Sequence, residues 1–387
     1  MDFEEFVVFL GIFYSMETIH LLERHLYFKD IDFGYYKTPN YSMFMTLNRF
    51  ETVLKYLKFS FTDDPDQQIL DWIAAVNKNF QRCVNPGDYL CLDEAMLKSY
   101  HKDLKGKMKI IRKPRPIGNE CQVCCDAKSQ IVLNIELYEG REPMGEKEFV
   151  RELGATTAVT LRLTAPWKYS GRVVVADSWF GSVKAVVNLF NRYKLYGTML
   201  VKTAHVKFPK LMLRETEITR GEWNTLTGEV EGVPVMAVLF KDLQEKQFIS
   251  SCNLSIEGEP RVTKHCGEIA RPAVAETYLK NCAGIDIHNH FRTGSSGLED
   301  VWQTKNYIHR QFAGITGFIF TNAFLAMRHF SKINGIANIR GKHAAFKHIL
   351  SDQLLNFRDV SRCTRTVRLQ SSQVHTLARI GERGGWG

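Results

Sequence analysis

The chain has 387 residues, 44% of them hydrophobic and 24% charged, with 51 Lys and Arg against 42 Asp and Glu for a formal net charge of +9. That length and apolar content suffice for a large core in one to three domains, and the balanced composition excludes disorder, collagen-like repeats and coiled coil. The surplus charge sits in two blocks: residues 98–115 carry 8 basic and 1 acidic side chains and residues 331–387 carry 10 and 3, whereas residues 1–82 carry 8 and 12. Such clustering is the footprint of a polyanion partner and not of a uniformly soluble surface.

The chain opens Met1-Asp2-Phe3-Glu4-Glu5, an acidic start that a secretory signal or transit peptide would not tolerate. Phe3, Phe6, Val7, Leu10 and Phe13 follow helical spacing, as do Phe50, Val53, Leu54 and Leu57, so residues 1–85 read as a helical N-terminal region. Thr62 to Asp66 forms a turn between helices, and Asn85-Pro86-Gly87-Asp88 is a breaker and a domain boundary. Short β-type runs follow at Tyr89 to Leu92, Lys109 to Arg112, Glu120 to Cys125 and Ile131 to Tyr138. The valine run from Arg172 to Ala176 suits a strand buried on both faces. A helix over Ser182 to Tyr193 and a strand over Leu195 to Val201 complete a parallel crossover, which implies an α/β sheet across 86–205.

Residues 206–262 hold short β-type pieces and polar connectors and read as a β-rich insertion domain. The core resumes over 263–340 with mostly helical pattern. Its most apolar stretch, Phe312 to Met327, contains Gly314, Thr316, Gly317, Thr321 and Asn322 between Arg310 and Arg328, as in a core helix and not a membrane span. A basic tail, 341–387, places Arg358, Arg362, Arg365 and Arg368 at helical spacing.

Nine scattered cysteines argue for a reduced compartment. Cys121, Cys124 and Cys125 lack a second pair at zinc spacing and read as buried strand. His288 and His290 suit surface or hydrogen-bonded structure better than a metal pair. No phosphate-binding loop, nucleophile elbow or dinucleotide fingerprint occurs. Asp93 and Asp177 stand out because each directly follows an apolar strand, the position where α/β sheets gather ligands. Two carboxylates on neighbouring strands could share Mg²⁺ ions for phosphodiester chemistry. The alternative stays open: Asp at a strand end is often a turn former or a helix N-cap, and Asp177-Ser178 before the helix at 182 fits that too.

At these residues the sequence resembles piggyBac-type transposases. Leu92-Asp93-Glu94-Ala95-Met96 with Lys113-Pro114-Arg115-Pro116-Ile117-Gly118 resembles the first catalytic block of that family, and Val175-Ala176-Asp177-Ser178-Trp179-Phe180-Gly181-Ser182 resembles the second. Tyr278 through Gly284-Ile285-Asp286-Ile287-His288-Asn289 is similar to the third, and the opening helices also look like the family's. The resemblance implies a ribonuclease-H-like core interrupted by an insertion domain, with a helical N-terminal region serving dimerisation and DNA binding. It implies Asp93, Asp177 and Asp286 as a metal-binding catalytic triad for two Mg²⁺ or Mn²⁺ ions, and a nuclear homodimer that cuts and pastes double-stranded DNA. Within that expectation Lys102, Lys105, Lys107, Lys109, Arg112, Lys113 and Arg115 would neutralise phosphates, and Trp179 would stack on an unpaired base.

The chain departs from the family's pattern at Asn289, where members often carry a further Asp, and it shows no Cys/His-rich module after Cys363 and His375 and no long acidic N-terminal tail. It is therefore expected to be truncated at both ends. Two other functions stay in play: a catalytically silent, domesticated DNA-binding protein, and an unrelated metal-dependent phosphoesterase.

Overall fold

The computed structural model describes residues 1–357 apart from 112, 114, 253–255, 264–266, 295–296, 303 and 334–342. Arg112 and the arginine spacing from Arg358 onward thus lie outside the described residues. Three helices open the chain, each started by a side-chain cap. Asp2 accepts from the Glu5 N–H at 2.9 Å at the head of α1 (Phe3–Met16), and Thr46 caps α2 (Leu47–Tyr56). Asp64 accepts from the Asp66 N–H at 3.0 Å while Pro65 fills the first turn of α3 (Pro65–Cys83). Residues 17–46, expected within a helical region, instead run as connectors with two short 3₁₀ turns. Gly34 (φ 82°) and Asn40 (φ 46°) hold left-handed backbone there, which no helix continues through.

Nine strands form one sheet. In chain order the elements are β1 (Tyr89–Lys98), β2 (Lys107–Lys109), β3 (Ile117–Asp126), β4 (Val132–Leu137), α4 (Arg141–Glu146), α5 (Val150–Leu153), α6 (Ala155–Thr164), β5 (Val173–Ala176), α7 (Val183–Tyr193), β6 (Tyr196–Val201) and α8 (Lys210–Leu213). There follow β7 (Trp223–Val230), β8 (Val233–Lys241), β9 (Glu245–Ser250), the small pair β10 (Arg261–Thr263) and β11 (Gly267–Ile269), then α9 (Ala273–Asn281), α10 (Gly284–Thr293), α11 (Leu298–Val301), α12 (Tyr307–Ile333) and α13 (His343–Leu355). Across the sheet the order is β3-β1-β5-β6-β9-β8-β7, with β2 and β4 both paired to the outer edge of β3. β1, β3 and β4 are antiparallel, and β5 and β6 run parallel to β1. That is the strand arrangement of a ribonuclease-H-like core.

The 206–262 segment is placed differently from a separately packed insertion. β9 pairs antiparallel with β6, so β7 to β9 continue the core sheet. The reason is local: β6 would otherwise present an open edge, and β9 closes it while Val238, Phe240 and Phe248 pack with Val175 and Tyr278.

Strand alternation buries both faces of β1. Leu90 and Leu92 pack with Leu161, Val186 and Leu189 of α6 and α7, whereas Cys91, Ala95 and Leu97 join a second core with Phe312 and Ile315 of α12. The N-terminal helices enter that second core. Phe13 stacks on Trp302 at 4.0 Å, and Phe9 and Phe50 close around them. α12, which carries the apolar stretch, is largely buried, and among the described residues no helix is long and apolar enough to cross a membrane.

A buried ionic cluster fastens the far end of β1. Glu299 of α11 pairs with Arg292 of α10 and with Arg115 at 3.3 Å, and it accepts from the Lys98 N–H at 3.0 Å. Arg292 also donates to the Met96 carbonyl at 2.8 Å, and Asp300 holds Lys98 at 3.1 Å and Arg115. The side chains of Arg292 and Glu299 are only 2% and 4% exposed. Removing one partner would strand a buried charge, so Glu299→Ala is expected to lower unfolding free energy by about 3–5 kcal/mol in urea titrations. A loss under about 1 kcal/mol would show that the cluster does not hold these elements together. Gly181 packs so closely on β6 that a Cβ would stand 1.8 Å from the Leu200 carbonyl oxygen. Gly181→Ala is therefore expected to cost at least about 1–3 kcal/mol in the same assay.

Candidate active site

The parallel pairing of β1 with β5 sets the site. Cys91 lies opposite Val175 and Leu92 opposite Ala176, and the next residue on each strand is an aspartate. Asp93 and Asp177 thus stand at adjacent register positions. Both leave the apolar part of their strands where the side chain is only partly buried.

The segment after β5 explains its own motif. The Asp177 carboxylate accepts from the Trp179 N–H at 2.8 Å, and the Gly181 N–H donates to the Asp177 carbonyl at 2.9 Å. Gly181 provides the close approach to β6, and Ser182 caps α7 by accepting from the Ala185 N–H at 3.0 Å. The helix cap is Ser182 and not Asp177, so the turn orients the Asp177 carboxylate without consuming it as a cap.

Glu94 is the residue that sequence reasoning passed over. Oxygens of Asp93, Glu94 and Asp177 all lie within 4.8 Å of one another, and among the described residues this is the one group of three potential metal ligands so close. Strand alternation sends neighbouring residues to opposite faces, and the only signal for Glu94 in the sequence is its adjacency to Asp93. Burial, together with a hydrogen bond to the Glu94 side chain, pushes the Asp93 carboxyl up to about 8 from an ordinary 3.8, against the opposing pull of the Glu94 N–H and Lys113. Oxygen-rich, crowded carboxylates fit a hard divalent cation, which would favour their ionised forms.

Asp286 reaches the site from another direction. Its helix α10 begins at Gly284, where an added Cβ would come within 2.6 Å of Cys125 Sγ, so glycine lets the first turn settle directly on β1 and β3. That accounts for the Gly-x-Asp spacing. Asp286 is exposed and lines a cavity of about 550 Å³ with Glu94, Lys113, Arg115, Asn289 and His290. It is not part of the tight carboxylate group, in which Glu94 takes the third place expected for it. Asn289, the departure from the family pattern, accepts a 3.3 Å hydrogen bond from Arg292. His288 is fully buried, stacks on Phe318 at 5.1 Å and is held neutral by burial, its pKa lowered to about 3. Cys121, Cys124 and Cys125 are buried along β3.

The basic block divides into two kinds of residue. Lys102, Lys105, Lys107 and Lys109 are exposed; Lys105 pairs with Asp66, and Lys107 donates to the His101 carbonyl at 3.0 Å. Lys113 is turned inward, 3.3 Å from Glu94. Arg115 differs from its expected role as a phosphate contact: its guanidinium is tied to Glu299, Asp300 and the Thr293 carbonyl, so its donors are satisfied inside the protein. Trp179 is half-buried, its ring edge-on to Phe180 at 4.6 Å and packed against the core.

Comparison with known proteins places this arrangement. No curated protein sequence matches the chain. A cryo-EM structure of a piggyBac transposase synaptic complex with hairpin DNA is similar, with a TM-score of 0.70 and 18% sequence identity over 92% of this chain and 71% of that one. That likeness establishes a common ribonuclease-H-like fold. A family model described as Transposase IS4 matches residues 1–324, a span that includes Asp93, Glu94, Asp177 and Asp286. The chain therefore belongs to the Transposase IS4 family.

Proposed function

We propose that the chain is a divalent-metal-dependent DNA transposase that nicks DNA by hydrolysis, joins the freed 3′-hydroxyl to the opposite strand as a hairpin, reopens the hairpin with water to regenerate that hydroxyl, and joins it to a target strand. The observation that carries this reading is the register that sets Asp93 and Asp177 side by side, with Glu94 in reach of both and also lining the cavity that Asp286 lines. Asp93, Glu94 and Asp177 would hold a Mg²⁺ or Mn²⁺ ion, and Asp286 would serve a second from across the cavity. Bound there, such ions supply activation of the attacking oxygen and stabilisation of the departing one. The protein's own groups do the remainder. The exposed Lys102 and Lys107 neutralise phosphates without reading bases, and the solvent-facing part of the Trp179 ring offers a surface for an unpaired base. On this reading the chain acts in the nucleus, as a homodimer that holds two DNA ends.

With supercoiled plasmid as substrate and Mn²⁺ or Mg²⁺ present, the protein is expected to produce nicked circles. Asp93→Ala and Asp177→Ala should each lose at least about 100-fold in rate. Nicking that survives Asp93→Ala would defeat the proposal, and DNA binding without any nicking would identify a silent descendant instead. Lys102→Ala and Lys107→Ala should each flatten the dependence of log affinity on log salt by about 0.9, since each removes one phosphate contact.

The raised Asp93 pKa makes a separate prediction for the metal-free protein. The folded state keeps a proton up to about pH 8 that the unfolded chain releases near 3.8, so stability is lost as pH rises through that window. Melting temperature should fall from pH 5 to pH 8 without metal, less so in Asp93→Asn. Added Mg²⁺, which binds the ionised carboxylate, should raise it more at pH 8 than at pH 5. A metal shift that is the same at both values would contradict the assignment.

A further inference from the structure

The acid cluster already has a cation of the protein's own beside it. Lys113 Nζ lies 3.3 Å from Glu94 Oε1, four-fifths of its side chain is buried, and its charge is felt at Asp93. The lysine sits on the loop between β2 and β3. That loop is closed by the Ile110 N–H donating to the Pro116 carbonyl at 2.7 Å and by the Lys113 N–H donating to the Ile110 carbonyl at 3.1 Å. Two residues on, Arg115 pins the same loop into the ionic cluster at Glu299 and Asp300. The backbone of Lys113 is thereby fixed, while its ammonium rides on a four-carbon stem that can swing.

An ammonium and a divalent ion make different claims on the same oxygens. Lys113 brings one charge and donates hydrogen bonds; a divalent ion brings two charges and coordinates several carboxylates at once. We propose that Lys113 is a placeholder cation, which neutralises Glu94 while the site is without metal and is displaced when a divalent ion loads, so that it sets the metal affinity of the site. This rests on the reading of Asp93, Glu94 and Asp177 as metal ligands. It makes the lysine the opposite of a residue that orients ligands. Removing an orienting group weakens metal binding, whereas removing a competing cation strengthens it.

The test is Mn²⁺ binding to the full chain without DNA, followed by the electron paramagnetic resonance signal of free Mn²⁺. Wild type should bind, and Asp93→Asn should bind far more weakly. Lys113→Met and Lys113→Gln should bind about tenfold tighter than wild type or more, because the competing charge is gone, and Lys113→Arg should stay near wild type. Without metal, Lys113→Met should melt below wild type, and saturating Mn²⁺ should close the gap. Equal or weaker Mn²⁺ binding by both Lys113→Met and Lys113→Gln overturns the placeholder role while leaving the metal site standing. A wild type that binds no Mn²⁺, or binding indifferent to Asp93→Asn, brings down the metal-site reading and the placeholder with it.

Discussion

Everything at the site depends on the parallel pairing of β1 with β5. β5 has only four residues, and neither aspartate is near the other in sequence, yet one register brings them abreast. A slip by one residue would turn one carboxylate to the opposite face and break the pair. The register is held by burial on both sides: Leu90 and Leu92 face α6 and α7, and Cys91 and Ala95 face the core of α10 and α12. The packing that makes β1 a core strand is thus the same packing that aims Asp93.

Two sets of charges lie within one stretch of chain and behave in opposite ways. At Glu299 acids and bases are matched and sealed, so the cluster acts as a strut between β1, α10, α11 and the β2–β3 loop. At Asp93 burial and the neighbouring Glu94 side chain raise the carboxyl's pKa and favour its protonated form. The β2–β3 loop contributes to both, with Arg115 locked into the strut and Lys113 leaning on the acids. The rigid donor fork of arginine suits the first task, and the mobile point charge of lysine suits the second.

Much of this was legible in the chain itself. Strand, helix, strand around the valine run, the capped N-terminal helices and the two strand-end aspartates all follow from local pattern, because each rests on neighbours close in sequence. Asp286 was not visible that way: its place depends on α10 docking over Cys125 through Gly284, and only family resemblance pointed to it. Glu94 was passed over and Arg115 was read as a DNA contact, because only tertiary partners reveal the carboxylate group around the one and the internal ion pairs of the other. The continuation of the sheet by β7 to β9 was hidden as well, since edge pairing with β6 leaves no mark in either strand's own pattern.

The stack of Phe13 on Trp302, closed by Phe9 and Phe50, carries a lesson about inheritance. Residues 1–85 share an apolar interior with the sheet and α12. Shuffling among relatives can exchange only pieces whose insides match, so this opening region is not a transferable cassette. A change at Phe13 requires an answering change nearly three hundred residues downstream, and these two distant segments must diverge in step.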